Sequence, residues 1–329
     1  MKSFLSKFRK YLLPVLYCLF LFACTIESTS PEKHYIDPDL PTSRINWSFA
    51  SEPMGIDFMK GKINYFNAQD FTMQDVYEDS LLSAKEMDDR VALLRNKLLP
   101  DSTGTGYSWA GIMQYLDSPI DITQSDYIDL QILENAEIYP DVPVTMHIDL
   151  GEISEDFYNP GENALPDRED GIVMLDGILD YGEDVGLDNI EDGYPGDDPD
   201  DNYNSDKYVF YNSFEEYPEI NGTEGNGRLD TEDLDNDGNL NLTNSYIQFT
   251  IDLDGNEFLS SVNSKGLKTY HIPADAYSIF SDDGYQPDLT NLRYMRIWFE
   301  YPEETFVILI SLTFGNTNSP EEKRKILFD

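Results

Sequence analysis

The chain reads as an all-β protein: a jelly-roll-like β-sandwich carrying one short helix and a long acidic loop insertion. Three observations predict this. Apolar residues recur with a period of two in segment after segment, the pattern of strands that press one face against a core. Gly, Pro, Asn and Asp return at short intervals, which favours short strands joined by turns over long helices. Aromatic side chains are abundant, with 22 Tyr and 18 Phe among 329 residues, enough to fill a sandwich interior.

Residues 1–23 read as an export signal, with Lys2, Lys7, Arg9 and Lys10 ahead of an apolar run from Tyr11 to Ala23 that is short for a membrane span. The run ends in Leu21-Phe22-Ala23-Cys24, which resembles a lipobox, so Cys24 is expected to become the lipidated first residue of the processed chain. Thr25 follows it in place of the Asp associated with inner-membrane retention, which points to an outer-membrane lipoprotein. Cys18, the other of only two cysteines, lies in the segment to be removed, so no internal disulfide is expected. Residues 24–44, rich in Ser, Thr, Pro and Asp, suit a flexible tether.

A first half-sandwich is expected over 45–160. It opens with alternating segments at Ile45–Phe49 and Ile63–Phe66. Ser83 and Glu86 fit a capping box ahead of Ala84, Met87, Val91, Leu94 and Leu98, which predicts the helix, and Pro100 ends it. Tyr107–Leu116 leads to strands at Tyr127–Leu133 and Val144–Leu150, the latter with Thr145, His147 and Asp149 on its polar side. Residues 161–240 differ in kind, holding 25 Asp or Glu against Arg168, Lys207 and Arg228. A structureless loop that long is unusual within a compact fold, so it is either mobile or organised by cations. The second half, 241–316, supplies strands at Tyr246–Leu253, Thr269–Ile272, Leu292–Phe299 and Thr305–Phe314, the last apolar enough to be central. A charged tail, 317–329, closes the chain.

With Lys+Arg 22 against Asp+Glu 63 the net charge is −41. That excludes nucleic acid as a partner, because phosphate backbones are bound by basic patches that release counterions. The membrane is expected to be reached through lipid on Cys24.

The most mechanistic short motif is Asp233-Leu234-Asp235-Asn236-Asp237-Gly238-Asn239-Leu240-Asn241. Oxygens of Asp233, Asp235, Asp237, Asn239 and Asn241 have the alternate spacing of a calcium loop, making Ca2+ the candidate cofactor. Position twelve is Asn244 where an EF-hand places a bidentate Glu, with Asp230 or Glu232 as candidate substitutes; the string also reads as an unliganded acidic turn. Asp184, Asp188 and Asp192 form a second candidate metal cluster, again with a solvated acidic loop as the alternative. His34, His147 and His271 stand in no zinc spacing, and no nucleophile elbow or phosphate loop occurs, so no catalytic residues are assigned and an enzyme is not expected. Trp47, Trp109 and Trp298 are candidates for stacking on sugar rings, although Trp in a β-sandwich is more often a core residue.

Six segments, in order, resemble the extracellular modules of SprA, the very large outer-membrane protein of type IX secretion and gliding motility. They are Trp109-Ala110-Gly111-Ile112-Met113, Tyr127-Ile128-Asp129-Leu130, Leu150-Gly151-Glu152-Ile153-Ser154-Glu155-Asp156, Asp184-Val185-Gly186-Leu187-Asp188, the run Glu232 to Asn241, and Leu292-Arg293-Tyr294-Met295-Arg296-Ile297-Trp298. The chain is too short to hold a giant transmembrane barrel beside such modules. The resemblance therefore implies one module on a lipid anchor: a non-enzymatic accessory or adhesin-like component linked to secretion or gliding. The alternative expectation is a calcium-stabilised lipoprotein that binds surface glycan.

Overall fold

The computed structural model describes residues 47–78, 82–83, 87, 90–101, 106–133, 142–158, 163–170, 177–191, 193–197, 223–317 and 324–325. Two antiparallel sheets face each other. The first runs β1 (Ser48–Phe49), β5 (Ser108–Ile120), β12 (Leu292–Tyr301), β7 (Thr145–Glu152), β8 (Ser245–Asp252), β11 (Ser278–Ser281), with β2 (Met59–Lys60) added parallel to the start of β5. The second runs β3 (Lys62–Thr72), β4 (Arg90–Leu99), β13 (Thr305–Gly315), β6 (Tyr127–Leu133), β10 (Leu267–Pro273), β9 (Leu259–Val262), with β14 (Arg324–Lys325) beside the end of β13.

The period-two reading explains which residues meet. Met146, Ile148 and Leu150 of β7 enter the core beside Ile247, Phe249 and Ile251 of β8 and Met295, Ile297 and Phe299 of β12. From the other sheet come Ile128, Leu130 and Ile132 of β6 with Leu309, Leu312 and Phe314 of β13. β13 is central as its composition predicts, buried along its whole length. Its Ile308 and Ile310 face outward beneath a short helix, α1 (Met73–Val76), which adds Val76 and Met73 to a second apolar cluster.

The helix expected from Ala84 to Leu98 is corrected. Its second half is β4, paired with β3 on one side and β13 on the other. Both faces of β4 are covered, Leu94 and Leu98 by the main core and Leu93 by the cluster under α1, so its apolar residues lose the simple alternation of a half-buried strand. Non-local pairing overrides helical spacing here. Among the described residues a capping box lies at Thr72, whose N–H donates to Asp75 Oδ2 at 2.8 Å ahead of α1, while Glu86 of the expected box lies outside them.

β7 and β8 are direct neighbours in register, Thr145 opposite Asp252 and Glu152 opposite Ser245. The acidic insertion therefore leaves and re-enters the fold at one end of a single strand pair.

Candidate functional site

On the side of the first sheet turned away from the core, His147 and Asp149 of β7 are buried, which corrects the expectation of an open polar face there, while Thr250 of β8 stays exposed. Its cross-strand rows are set by register. Gly111, Trp298, His147 and Thr250 form one row, and Met113, Arg296, Asp149 and Gln248 the next. A Cβ on Gly111 would lie 2.5 Å from the Cβ of Trp298, so this row needs glycine. Arg296 Nε donates to Asp149 Oδ2 at 2.8 Å, both side chains fully buried. Trp298 Nε1 and Gln248 Nε2 donate to the same carboxylate at 3.0 and 2.9 Å. Nη1 of Arg296 reaches the carbonyls of Ser51 and Glu52, pinning residues 50–56 over the sheet. His147 stacks flat on Trp298 with centroids 3.8 Å apart.

This packing decides the fate of the three tryptophans. Trp47, Trp109 and Trp298 are only 4, 1 and 4% exposed. Trp47 belongs to the main core, while Trp109 and Trp298 meet edge to face beneath Ala50 and Ile56. None can present a ring to a sugar, and the expectation that they stack on ligand is corrected.

The rest of the outer face is roofed by the insertion. Met113, Tyr246 and Tyr294 of the sheet pack with Ile153, Phe157 and Leu187, and Leu234 joins them. Five of the six segments that carry the SprA resemblance thus contribute to one apolar contact, although the sequence spreads them from Trp109 to Trp298. Gly151, the glycine of the Leu-Gly-Glu turn, has φ +152, and a Cβ there would lie 2.4 Å from the Ser245 carbonyl.

Buried carboxylates hold the roof in place. Glu232 accepts N–H bonds from Phe157, Tyr158 and Asp167 at 2.8, 2.6 and 3.0 Å. Glu169 accepts from Gly186 and Asp230, both at 2.8 Å. Burial pushes Glu169 up to about 8, Glu232 to about 7 and Asp230 to about 6, despite the hydrogen bonds that favour ionisation. Glu232 and Asp230 are therefore committed elsewhere and do not complete the calcium-like loop.

Glu155 completes it. Its carboxylate lies with those of Asp233 and Asp235 so that one oxygen from each falls within 4.8 Å of the others. This trio could hold a metal ion, and among the described residues it is the group of His, Cys, Asp or Glu that can. Leu234 and Asn241 N–H donate to Glu155 at 2.9 Å each, and Tyr294 Oη–H at 3.0 Å. Burial raises the pKa of Glu155 and of Asp233 above their usual range, and the Asp235 charge adds to it in both. A divalent cation relieves that repulsion directly. The loop itself is drawn tight: Gly238 N–H donates to Asp233 Oδ2 at 2.9 Å, and Asn236 takes the left-handed conformation at φ 56.

Of the other expected ligands, Asp237 and Asn241 touch the trio through their backbone, Asp237 N–H donating to Asp233 and Asp235 and Asn241 N–H to Glu155. Asp237 Oδ1 accepts from Asn239 N–H at 2.8 Å, and Asn241 Nδ2 points to the Ile153 carbonyl. In the second expected cluster, Asp184 accepts from the Asn226 and Gly227 amides, and Asp188 caps its own turn through Ile190 N–H. Asp184 and Asp188 serve the backbone in these bonds, while Asp192, the third residue of that expected cluster, lies outside the described residues, as does Cys24.

What sequence reasoning missed is Glu155, a carboxylate far upstream that fills the role left vacant at Asn244. It also passed over two exposed rings, Phe58 and Tyr107, 37 and 42% exposed, in contact with centroids 5.8 Å apart. Alternation from buried Trp109 back to Tyr107 was the available signal.

No family model matches the chain, and no curated protein matches it. Among solved structures, it is similar to a family 11 carbohydrate-binding module from Clostridium thermocellum in complex with a β-1,3-1,4-mixed-linked tetrasaccharide. The identity is 10% and the TM-score 0.36, over 83% of this chain and 89% of that one.

Proposed function

We propose that the protein is an exported, lipid-anchored, non-catalytic β-sandwich module of the cell surface that binds polysaccharide, with its acidic insertion ordered by calcium. The lipid would be carried on Cys24, whose lipobox-like context supports the assignment. The observation that carries the binding reading is the contrast between the two aromatic populations. The tryptophans are consumed in packing, while Phe58, Tyr107, Tyr181, Tyr194 and Tyr285 remain exposed on a strongly acidic body. Aromatic rings in water on a polyanionic surface suit a neutral, hydroxyl-rich ligand, whose C–H faces stack and whose hydroxyls donate to carboxylates. Calcium is the cation of choice for the trio because all three donors are hard carboxylate oxygens on loops, without nitrogen or sulfur.

The test is retention of the detergent-purified full chain on a panel of immobilised polysaccharides, with and without calcium. Retention by at least one neutral polysaccharide supports the proposal, and failure across the panel in both conditions refutes it.

A second reading, an accessory of type IX secretion or gliding, is favoured by the convergence of the SprA-like segments. The resemblance rests on the sequence of those segments, five of which meet at the docked insertion. Pull-down from membranes distinguishes the two: recovery of secretion proteins without polysaccharide supports this reading.

A further inference from the structure

We infer that Phe58 and Tyr107 form the stacking platform of the ligand site, and that the ligand is a single, soluble, uncharged β-linked pyranose chain. The inference rests on the polysaccharide reading above and adds the place and the ligand class.

Among the exposed aromatic side chains of the described residues, Phe58 and Tyr107 are the two that form a ring pair. They are held rigidly from below. Met59 pairs with Ser108 and Lys60 with Trp109, so Phe58 and Tyr107 each sit on the residue immediately before the parallel β2–β5 pairing. Gly61 N–H donates to the Trp109 carbonyl at 2.7 Å. Lys60 Nζ lies 5.4 Å from the Trp109 ring centre and donates to the Phe157 carbonyl at 3.2 Å, which ties this corner to the docked insertion. Rings on a braced strand pair lose little freedom when a ligand stacks on them.

Three features narrow the ligand. Exposed Asp57 adjoins Phe58, and Asp101, whose N–H donates to Ser108 Oγ at 3.0 Å, approaches the strand that follows Tyr107. With a net charge of −41 around them, these carboxylates repel polyanions and accept from neutral hydroxyls. The rings are tilted by 38°, and a flat crystalline polymer face needs coplanar rings, so a free chain whose successive sugars turn is the better fit. β-Glucopyranose, with every hydroxyl equatorial, offers an aromatic ring an apolar C–H face on either side, and β-mannopyranose keeps such a face opposite its axial 2-hydroxyl, so gluco- or manno-configured β-chains fit.

The experiment is affinity electrophoresis of the full chain in detergent. Soluble mixed-linkage β-glucan and glucomannan are the neutral probes, alginate is the anionic one and microcrystalline cellulose the insoluble one. Expected are retardation by a neutral soluble probe and a loss of about tenfold or more in affinity in the double variant Phe58→Ala/Tyr107→Ala. Should that variant melt early, Phe58→Ser alone, at an exposed ring, keeps the test. Tyr107→Phe, which keeps the ring, is expected to bind as the parent does.

A parent that binds while the platform variants bind equally overturns the inference and leaves the polysaccharide reading standing. A parent that binds no probe overturns both. Preference for alginate or cellulose overturns the ligand class. Loss of self-association in the variants, seen by sedimentation without any polysaccharide effect, would make the platform a contact between copies and overturn the inference.

Discussion

Replacing Glu232 by Ala tests whether buried carboxylates, and not apolar contact alone, dock the acidic insertion. In the native chain one oxygen of Glu232 receives the Phe157 and Tyr158 amides and the other receives Asp167. Truncation leaves three N–H groups without acceptors. A stranded buried donor costs about 1–3 kcal/mol. Only Phe157 lies in fully buried surroundings, so water can serve the other two in part, and a total of about 2–4 kcal/mol follows. Apolar packing of Phe157 and Leu187 against Met113 and Tyr294 is not removed, so the sandwich survives while the insertion loosens. Urea titration and amide exchange provide the assay. The amides of Phe157, Tyr158 and Asp167 should lose protection while those of β6 and β13 keep theirs. Glu232→Gln, retaining one acceptor oxygen, should fall between. Unchanged protection at all three amides in Glu232→Ala would refute the reasoning.

Other perturbations reach the same surface from different directions. Arg296→Met strands the buried Asp149 charge and should cost about 3–5 kcal/mol in chemical denaturation, much of it recovered when Asp149→Leu is added. In chelator, stability should fall as pH rises from about 4.5 to 8. The folded values of Glu169, Glu232 and Asp230, about 8, 7 and 6, lie above the ordinary carboxylate range, so the native chain holds protons that the unfolded chain releases. Thermal melts across that window check the sign, and Glu169→Gln should make the slope shallower. Calcium should raise the melting temperature, more at pH 8 than at pH 5 because protons compete for Glu155 and Asp233, and Asp235→Ala should abolish the effect.

Much of the sandwich was legible because its strands are half-buried. The Tyr127–Leu133 segment coincides with β6, and Val144–Leu150 and Tyr246–Leu253 differ from β7 and β8 by a residue or two. β4 was misread because a strand covered on both faces loses its alternation, and the spacing left over mimics a helix. β9 and β11 escaped notice as four-residue edge strands with little apolar content. Of the metal site, Asp233 and Asp235 were legible because their ligand spacing is local. Glu155 was not, because its placement depends on β7 meeting β8 in register, which no local pattern records. The tryptophans show the same limit from the other side: residue type suggests a ligand surface, but only the strap at 50–56 reveals that it is occupied.

The surplus of acid has a structural logic that extends beyond one cation. Between residues 155 and 233 a Glu-Asp pair occurs at 155–156, 169–170 and 183–184, fourteen residues apart, and at 232–233, besides one at 191–192 whose Glu191 is exposed. In the other four the Glu is fully buried. The Glu side chains accept backbone amides from elsewhere in the insertion or its roots, and the Asp side chains close nearby turns or loops. Thus Asp156 receives Ala164, Asp170 receives Gly177, Asp184 receives Gly227 and Asp233 receives Gly238. A long segment with few strands has few ladder partners for its N–H groups, and buried amides must find acceptors. Carboxylates supply two oxygens each and reach over several directions, so they replace the missing ladder. The cost is the burial of carboxylates, which is what chiefly raises the pKa values of Glu169 and Glu232, and with only three basic residues in 161–240 the chain does little to offset their charge. Protons or a divalent cation offset such charge, so the proposed calcium would steady the roof over the first sheet, and the Phe157 carbonyl, at the root of the insertion, joins that roof to Lys60 and the exposed aromatic corner.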